Sequence, residues 1–201
     1  MKANVLVLFA HPAIRKSRVN RLMLDAVRPV DGVTVNDLYE AYPDLDIDVA
    51  REQELLAGHD VVVFQHPFYW YSTPAMLKEW QDLVLEHGWA YGHEGDALRG
   101  KTLLSAISTG GSEEAYCAQG NNRFTIRQLL APIEQTARLC GMVYLPPFVV
   151  HGTHSVSEQE IEGHANDYRL LVEGLRDDRV EVAKTAKLSR LNVDVAGLLG
   201  S

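Results

Sequence analysis

The sequence predicts an α/β domain, doubly wound, with a five-stranded parallel sheet covered by helices on both faces. Three observations predict it. The strongest apolar segments are short continuous runs rich in β-branched residues, which is how strands buried on both faces read. Between them lie segments with apolar residues at three- and four-residue steps, the spacing of amphipathic helices. The two kinds alternate along the chain, and no internal repeat or Gly/Ser- or Pro-rich linker divides it.

The first run, residues 5–10, is Val5-Leu6-Val7-Leu8-Phe9-Ala10, a first strand. Residues 20–27 carry Leu22, Met23, Ala26 and Val27 on one stripe, a first helix. Residues 33–38 form a shorter alternating strand. Residues 50–58, with Leu55 and Leu56, predict a helix, and Val61-Val62-Val63-Phe64 the third strand. Residues 74–85 place Met76, Leu77, Trp80, Val84 and Leu85 on one helical face. Leu103-Leu104-Ser105-Ala106-Ile107 is the fourth strand. Residues 127–140 predict one helix through Leu129, Leu130, Ile133, Ala137 and Leu139. Met142-Val143-Tyr144-Leu145, leading to Val149-Val150, is the fifth strand. Ser157 stands three residues ahead of Glu160, a capping box that opens a helix running toward Leu175. The tail after Arg176 is weakly patterned, but residues 193–199 are apolar and suit docking on a neighbour. The reading is one domain over 1–201, with a core of 1–175 and a tail of 176–201.

Size and charge narrow the function. A chain of 201 residues suits one domain with a substantial core. Hydrophobic residues at 46% and charged ones at 23% disfavour disorder. Nineteen Lys and Arg against 27 Asp and Glu give a formal charge of −8, which argues against a nucleic-acid partner. Two cysteines, Cys117 and Cys140, are too few for a disulfide framework and fit a reducing compartment. The N-terminus lacks a signal-peptide pattern, and no stretch approaches the ~20 apolar residues of a membrane helix. A cytoplasmic protein is expected.

In such a fold, ligands sit beyond the carboxyl ends of the strands. After the first strand come His11-Pro12, then Ser17 and Asn20 at the start of a helix. Helix starts present free N–H groups and partial positive charge, which suits a phosphate; equally, Ser17 is an ordinary N-cap and His11 a turn residue. After the third strand comes Pro67-Phe68-Tyr69-Trp70-Tyr71, four successive aromatics with Pro74 beyond them. They offer a rigid platform for a flat conjugated ring or, alternatively, a cap on the core. After the fourth strand comes Thr109-Gly110-Gly111-Ser112, then Tyr116. Paired glycines let backbone donors approach a planar ligand, and a phenol can donate or accept beside it. Together these are the parts that a flavin mononucleotide needs.

At these residues the chain resembles the flavodoxin-like NAD(P)H:quinone oxidoreductases, to about Leu175. Within that family it is most similar to the ancillary subunits of bacterial glutathione-regulated potassium efflux systems. The resemblance rests on Asp37-Leu38-Tyr39, Tyr42-Pro43-Asp44, Gln65-His66-Pro67, His87-Gly88-Trp89-Ala90-Tyr91-Gly92 and Leu145-Pro146-Pro147-Phe148. It implies a flavodoxin-like fold and a homodimer carrying FMN, with FAD as the alternative. Such an enzyme takes hydride from NAD(P)H and passes it to a quinone. It also implies a potassium efflux antiporter as partner; the alternative function is a non-catalytic regulatory subunit on that antiporter's cytoplasmic side. By the same resemblance His11, Ser17, Arg18, Val19 and Asn20 hold the phosphate and ribityl end. Pro67, Phe68, Tyr69 and Trp70, with Thr109, Gly110, Gly111 and Ser112, hold the isoalloxazine. Tyr116 assists proton movement, and the family histidine six residues beyond it is here Asn122, whose amide cannot relay a proton. Residues 89–100, long and glycine-rich for a connection, are expected to lie at the dimer interface.

Other signals are set aside. His151 and His154 are three apart, but with no further ligand at a suitable distance they read as solvent or interface histidines rather than metal ligands. Cys117 has no nearby sequence cation to activate it. Asp44, Asp46 and Asp48 lack the glycine and glutamate of a calcium loop and read as a solvated face.

Overall fold

The computed structural model describes residues 2–200. Its sheet contains β1 (Val5–Phe9), β2 (Val33–Asp37), β3 (Val61–Pro67), β4 (Thr102–Ser108), β5 (Val143–Tyr144) and β6 (Phe148–Val150), in the order β2-β1-β3-β4-β5. All pairings are parallel. Both β5 and β6 pair with β4, at Thr102–Leu103 and Ala106–Ser108 respectively. Six segments thus fill five positions, because Pro146 and Pro147 interrupt the expected fifth strand. Proline has no N–H to give the ladder.

The helices are α1 (Val19–Val27), α2 (Leu38–Ala41), α3 (Val49–Ala57), α4 (Ala75–Val84), α5 (Ile126–Leu129), α6 (Ala131–Leu139), α7 (Glu158–Arg176), α8 (Val182–Thr185) and α9 (Val195–Leu198). Alternate residues of each strand face opposite sides of the sheet. Leu6, Leu8, Val62 and Phe64 pack on Leu56, Met76, Leu77, Trp80 and Ile133 of α3, α4 and α6. Val5, Val7, Val63 and Leu104 pack on Met23, Val27, Ile161, Tyr168 and Leu171 of α1 and α7. Burial on both faces explains why the strands read as unbroken apolar runs.

The structure departs from the sequence reading in three places besides the divided strand. The single helix expected over 127–140 is two helices, since Pro132 is tolerated only in a first turn and α6 begins just before it. A short α2 follows β2 directly, capped by Asp37, whose carboxylate accepts from Tyr39 N at 3.1 Å and Glu40 N at 3.3 Å. The tail docks on its own chain. Leu191, Val195 and Leu198 are buried in the α1–α7 core, and Asn192 bonds Val149 of β6 twice, accepting from its N–H at 3.0 Å and donating to its carbonyl at 2.8 Å. The Ser157–Glu160 capping box forms as expected, with Glu160 N donating to Ser157 Oγ at 3.2 Å.

Two buried polar groups stand out. The Glu52 carboxylate on α3 is fully buried and accepts from Asn36 Nδ2 at 2.8 and 2.9 Å, Tyr42 Oη at 2.6 Å, Trp80 Nε1 at 2.9 Å and Arg51 Nη1 at 2.6 Å. It ties β2, the chain after α2, and α4 to one point. His66, in β3, is also fully buried. Its Nδ1 lies 3.0 Å from the carbonyl of Pro67, its Nε2 has no partner among the described residues, and burial pushes its pKa down to about 4.

Candidate functional site

The strand order reverses direction between β1 and β3, and this switch point opens a crevice at the carboxyl end of the sheet. A cavity of about 450 Å³ occupies it, bounded by Lys16, Ser17, Arg18 and Val19 at one end and by Phe68, Tyr69, Ser108 and Gly110 at the other. Its size falls within the range of small-molecule sites, ~300–1,000 Å³. Thr153 and His154, just beyond β6, close the remaining side.

At the α1 end, Ser17 Oγ accepts from Asn20 N at 3.1 Å. The N-cap role and a place on the crevice wall therefore coexist in Ser17. First-turn amides of α1 have no intrahelical carbonyl to bond and carry the positive end of the helix dipole, with Lys16 and Arg18 alongside. Asn20 is buried. Its Nδ2 donates to Ser108 Oγ at 2.7 Å, and its backbone carbonyl accepts from Gln65 Nε2 at 3.0 Å. Its Oδ1 is left without a partner among the described residues, an acceptor in need of a donor. His11 is buried against Phe9 and Tyr69, with ring centroids 6.4 and 6.1 Å away. Its Nδ1 accepts from Ala13 N at 3.0 Å, which leaves the proton on Nε2, and burial lowers its pKa.

The aromatic segment divides. Pro67 ends β3, and Phe68 is buried, its N–H bonded to Ser108 O at 2.8 Å. Tyr69, Trp70, Tyr71 and Ser72 form a tight turn, closed by Ser72 N to Tyr69 O at 3.0 Å, with φ of +49° at Trp70 and +63° at Tyr71. That is left-handed backbone at both central positions, which glycine and asparagine normally take. The strain, of order 1–2 kcal/mol per residue, leaves Trp70 92% exposed. The core cap expected as the alternative for the segment does not describe Trp70.

On the β4 side, Gly110 faces the crevice so closely that a Cβ there would meet His154 Nε2 at 2.9 Å, and a Cβ on Gly111 would meet Tyr116 at 3.1 Å. Thr109 turns its hydroxyl inward, donating to Gly111 O at 2.9 Å and lying 3.3 Å from His151 Nδ1. Ser112 is exposed. Tyr116 packs between Phe68 and His151, at 6.5 and 5.6 Å between centroids. Burial raises its pKa, opposed by the Thr109 hydroxyl, so the phenol stays a donor. The loop folds back, with Asn122 N bonded to Ala115 O at 3.0 Å, and Asn122 Oδ1 accepts from Tyr71 Oη at 3.1 Å.

Of the expected residues, Ser17, Arg18, Val19, Phe68, Tyr69 and Gly110 line the crevice, which adds Lys16, Ser108, Thr153 and His154. His154, exposed as expected of a solvent histidine, and the half-buried His151 both stand at the site's border. Their approach depends on β6 lying beside β4, which no local pattern encodes. The crevice suits an elongated ligand with an anion at one end, hydroxyls beside Asn20 and a planar group near Gly110 and Tyr69. Among the described residues no helix is long and apolar enough to cross a membrane.

A family model for the flavodoxin-like fold matches residues 3–172. The chain is 46% identical to the glutathione-regulated potassium-efflux system ancillary protein KefF of Enterobacter sp. (strain 638), over 82% of this chain and 93% of that protein. A solved general stress protein 14 of Treponema denticola in complex with FMN has a TM-score of 0.82 at 42% identity, covering 86% of this chain and 99% of that one. A solved NADPH-quinone reductase of P. pentosaceus has a TM-score of 0.76 at 33% identity, covering 83% and 95%.

Proposed function

The chain belongs to the flavodoxin-like fold family, and from that premise we propose that it is an FMN-dependent NAD(P)H:quinone oxidoreductase. The observation that carries the reading is the switch-point crevice, cationic and amide-rich at the α1 end and glycine-bordered at the β4 end. The FMN-bound relative and the quinone-reductase relative support it. The residues present fit the cofactor. Lys16, Ser17, Arg18 and the first amides of α1 would hold its phosphate. Asn20 Oδ1 would take a ribityl hydroxyl, which answers the one unmet acceptor of that side chain. Gly110 and Gly111, with Phe68 and Tyr69, would border the ring. Bound flavin supplies the two-electron chemistry, accepting hydride from NAD(P)H and delivering it to a quinone.

The chain's own part is orientation and proton handling. His11 offers Nε2–H as a fixed neutral donor, and Tyr116 keeps its proton and can hydrogen-bond a neighbouring acceptor. Asn122 positions through Tyr71 rather than moving protons. Tyr116→Phe is expected to lower quinone turnover roughly tenfold with flavin retained, below the ~10²–10⁴-fold range of full general-acid assistance because water shares the role. Steady-state kinetics check this, and an unchanged kcat removes Tyr116 from the chemistry.

Colour is the first test of the whole reading: a colourless protein that also fails to bind added FMN defeats it, and the mass of the released cofactor separates FMN from FAD. Gly110→Val is expected to expel the flavin while preserving the fold, because the new side chain must occupy the space between His154 and the crevice. Equilibrium FMN titration and circular dichroism check both halves.

A homodimer belongs to the same reading, with residues 89–100 at the interface, and sedimentation of the flavin-loaded protein tests it. The second reading, a regulatory subunit on a potassium efflux antiporter, draws on the KefF relative and on the exposed, strained Trp70. Transporter activation that survives loss of flavin in Gly110→Val favours that role.

A further inference from the structure

A second, smaller cavity lies on the far side of Tyr116 from Phe68. It is a half-open cleft of about 150 Å³ between the turn carrying Glu113 and Tyr116 and the tail residues Ser189 and Arg190. The tail lies beyond residue 172, where the family match ends, so this wall is outside the shared fold. Ile126 and Val149, both buried, give it apolar sides, and Tyr116 contributes a ring.

Its charge is unusual for this chain. In a protein of net charge −8, two guanidinium groups, Arg127 and Arg190, face the cavity against one carboxylate, Glu113. Glu113 is already engaged, because Arg190 donates to it directly. Arg127 donates Nη1 to Leu188 O at 3.2 Å, while its Nη2 stands 3.7 Å from Glu134, beyond hydrogen-bond range. A guanidinium has five donors, so Arg127, ion-paired with Glu134 only across 3.7 Å while Glu134 holds Arg138 at 2.7 Å, keeps unused donors for a second carboxylate. The other titratable groups there are His151, kept neutral by burial and Arg190, and Tyr116.

We propose that this cavity binds a single-ring aromatic anion of the benzoate class. The ring would rest on Ile126, Val149 and Tyr116, with the carboxylate on Arg127. A cavity near 150 Å³ is known to admit one benzene ring. The guanidinium fork matches a carboxylate in a way a single ammonium does not. Inorganic phosphate would satisfy the charge but leave the apolar sides bare. The site is built from different residues than the flavin crevice except where Tyr116 and His151 stand between them, so it does not depend on the flavin reading.

The test titrates the full chain with sodium benzoate, benzamide and inorganic phosphate, followed by calorimetry or by shifts in the NMR spectrum, with flavin content measured alongside. Benzoate is expected to saturate in the millimolar range, at least about tenfold tighter than either benzamide or phosphate. Arg127→Gln is expected to weaken benzoate by about tenfold and leave benzamide unmoved. Failure of benzoate to saturate, equal binding of benzoate and benzamide, phosphate as tight as benzoate, or unchanged benzoate affinity in folded Arg127→Gln each overturns the proposal. The three-probe comparison is made on the unaltered protein, so it decides the matter even if the variant does not fold.

Discussion

Replacing Glu52 with alanine is expected to lower the unfolding free energy by about 3–5 kcal/mol, the range for breaking a buried, fully bonded charge. The side chain is fully buried and accepts from Asn36, Tyr42, Arg51 and Trp80. Truncation removes an acceptor from the indole N–H of Trp80 and the phenol of Tyr42, both buried, and leaves a cavity among them. Arg51 is half exposed and regains water, so its share of the loss is small. Urea denaturation with a matched thermal melt checks this; for a chain of this length the fall in Tm is roughly 10 °C. Glu52→Gln keeps the shape but sets an NH₂ against donors, and is expected to fall between the two. A loss below about 1 kcal/mol for Glu52→Ala would mean that neighbouring groups re-pair without it.

The second large effect is acid lability from His66. In the fold its pKa is held at about 4 by burial, against an ordinary value of 6.5. Above 6.5 both folded and unfolded chains carry it neutral, and it contributes no pH dependence. As pH falls through 6.5 the unfolded chain takes up the proton and the folded chain does not, so stability declines. The decline continues to about pH 4 and amounts to about 3 kcal/mol there, at 1.36 kcal/mol per unit of difference. His66→Leu removes the titration while filling similar space. Between about pH 7 and pH 4.5 the variant should lose roughly 2–3 kcal/mol less than the parent in paired urea melts. Parallel pH profiles for the two proteins would show that His66 protonates within the fold without penalty.

Much of the fold is legible in the sequence because its sheet is covered on both sides. Val5 to Phe9 and Val61 to Phe64 are wholly buried, so the runs carry the strand signal without any alternation to dilute it. The stripe Met76, Leu77, Trp80, Val84 likewise marks α4, since each of those side chains is buried. Legibility fails where one residue overrides a longer pattern. Pro132 splits a periodic helix, and Pro146-Pro147 split a strand, although the apolar spacing continues through both. At the site, the loops after β1, β3 and β4 could be found because strand ends announce them. The turn at Trp70 could not, since Tyr-Trp-Tyr-Ser contains none of the residues that normally supply left-handed backbone. Nor could the approach of His154 to Gly110, which pairs positions 44 apart and depends on the β4–β6 ladder.

The docking of the tail on β6 bears on how the protein behaves in a crowded solution. A sheet's outer strand is an open template: each unbonded N–H and carbonyl invites a strand from another molecule, the first step toward aggregates. Here that outer strand is only three residues long, follows two prolines, and has the N–H and carbonyl of Val149 taken by the side chain of Asn192. Leu191 N adds a bond to Pro147 O at 2.9 Å. The segment 188–193 therefore acts as a guard along this margin, doing with side-chain amides what a barrel does by closure. Strand pairing by another molecule along β6 is thereby disfavoured.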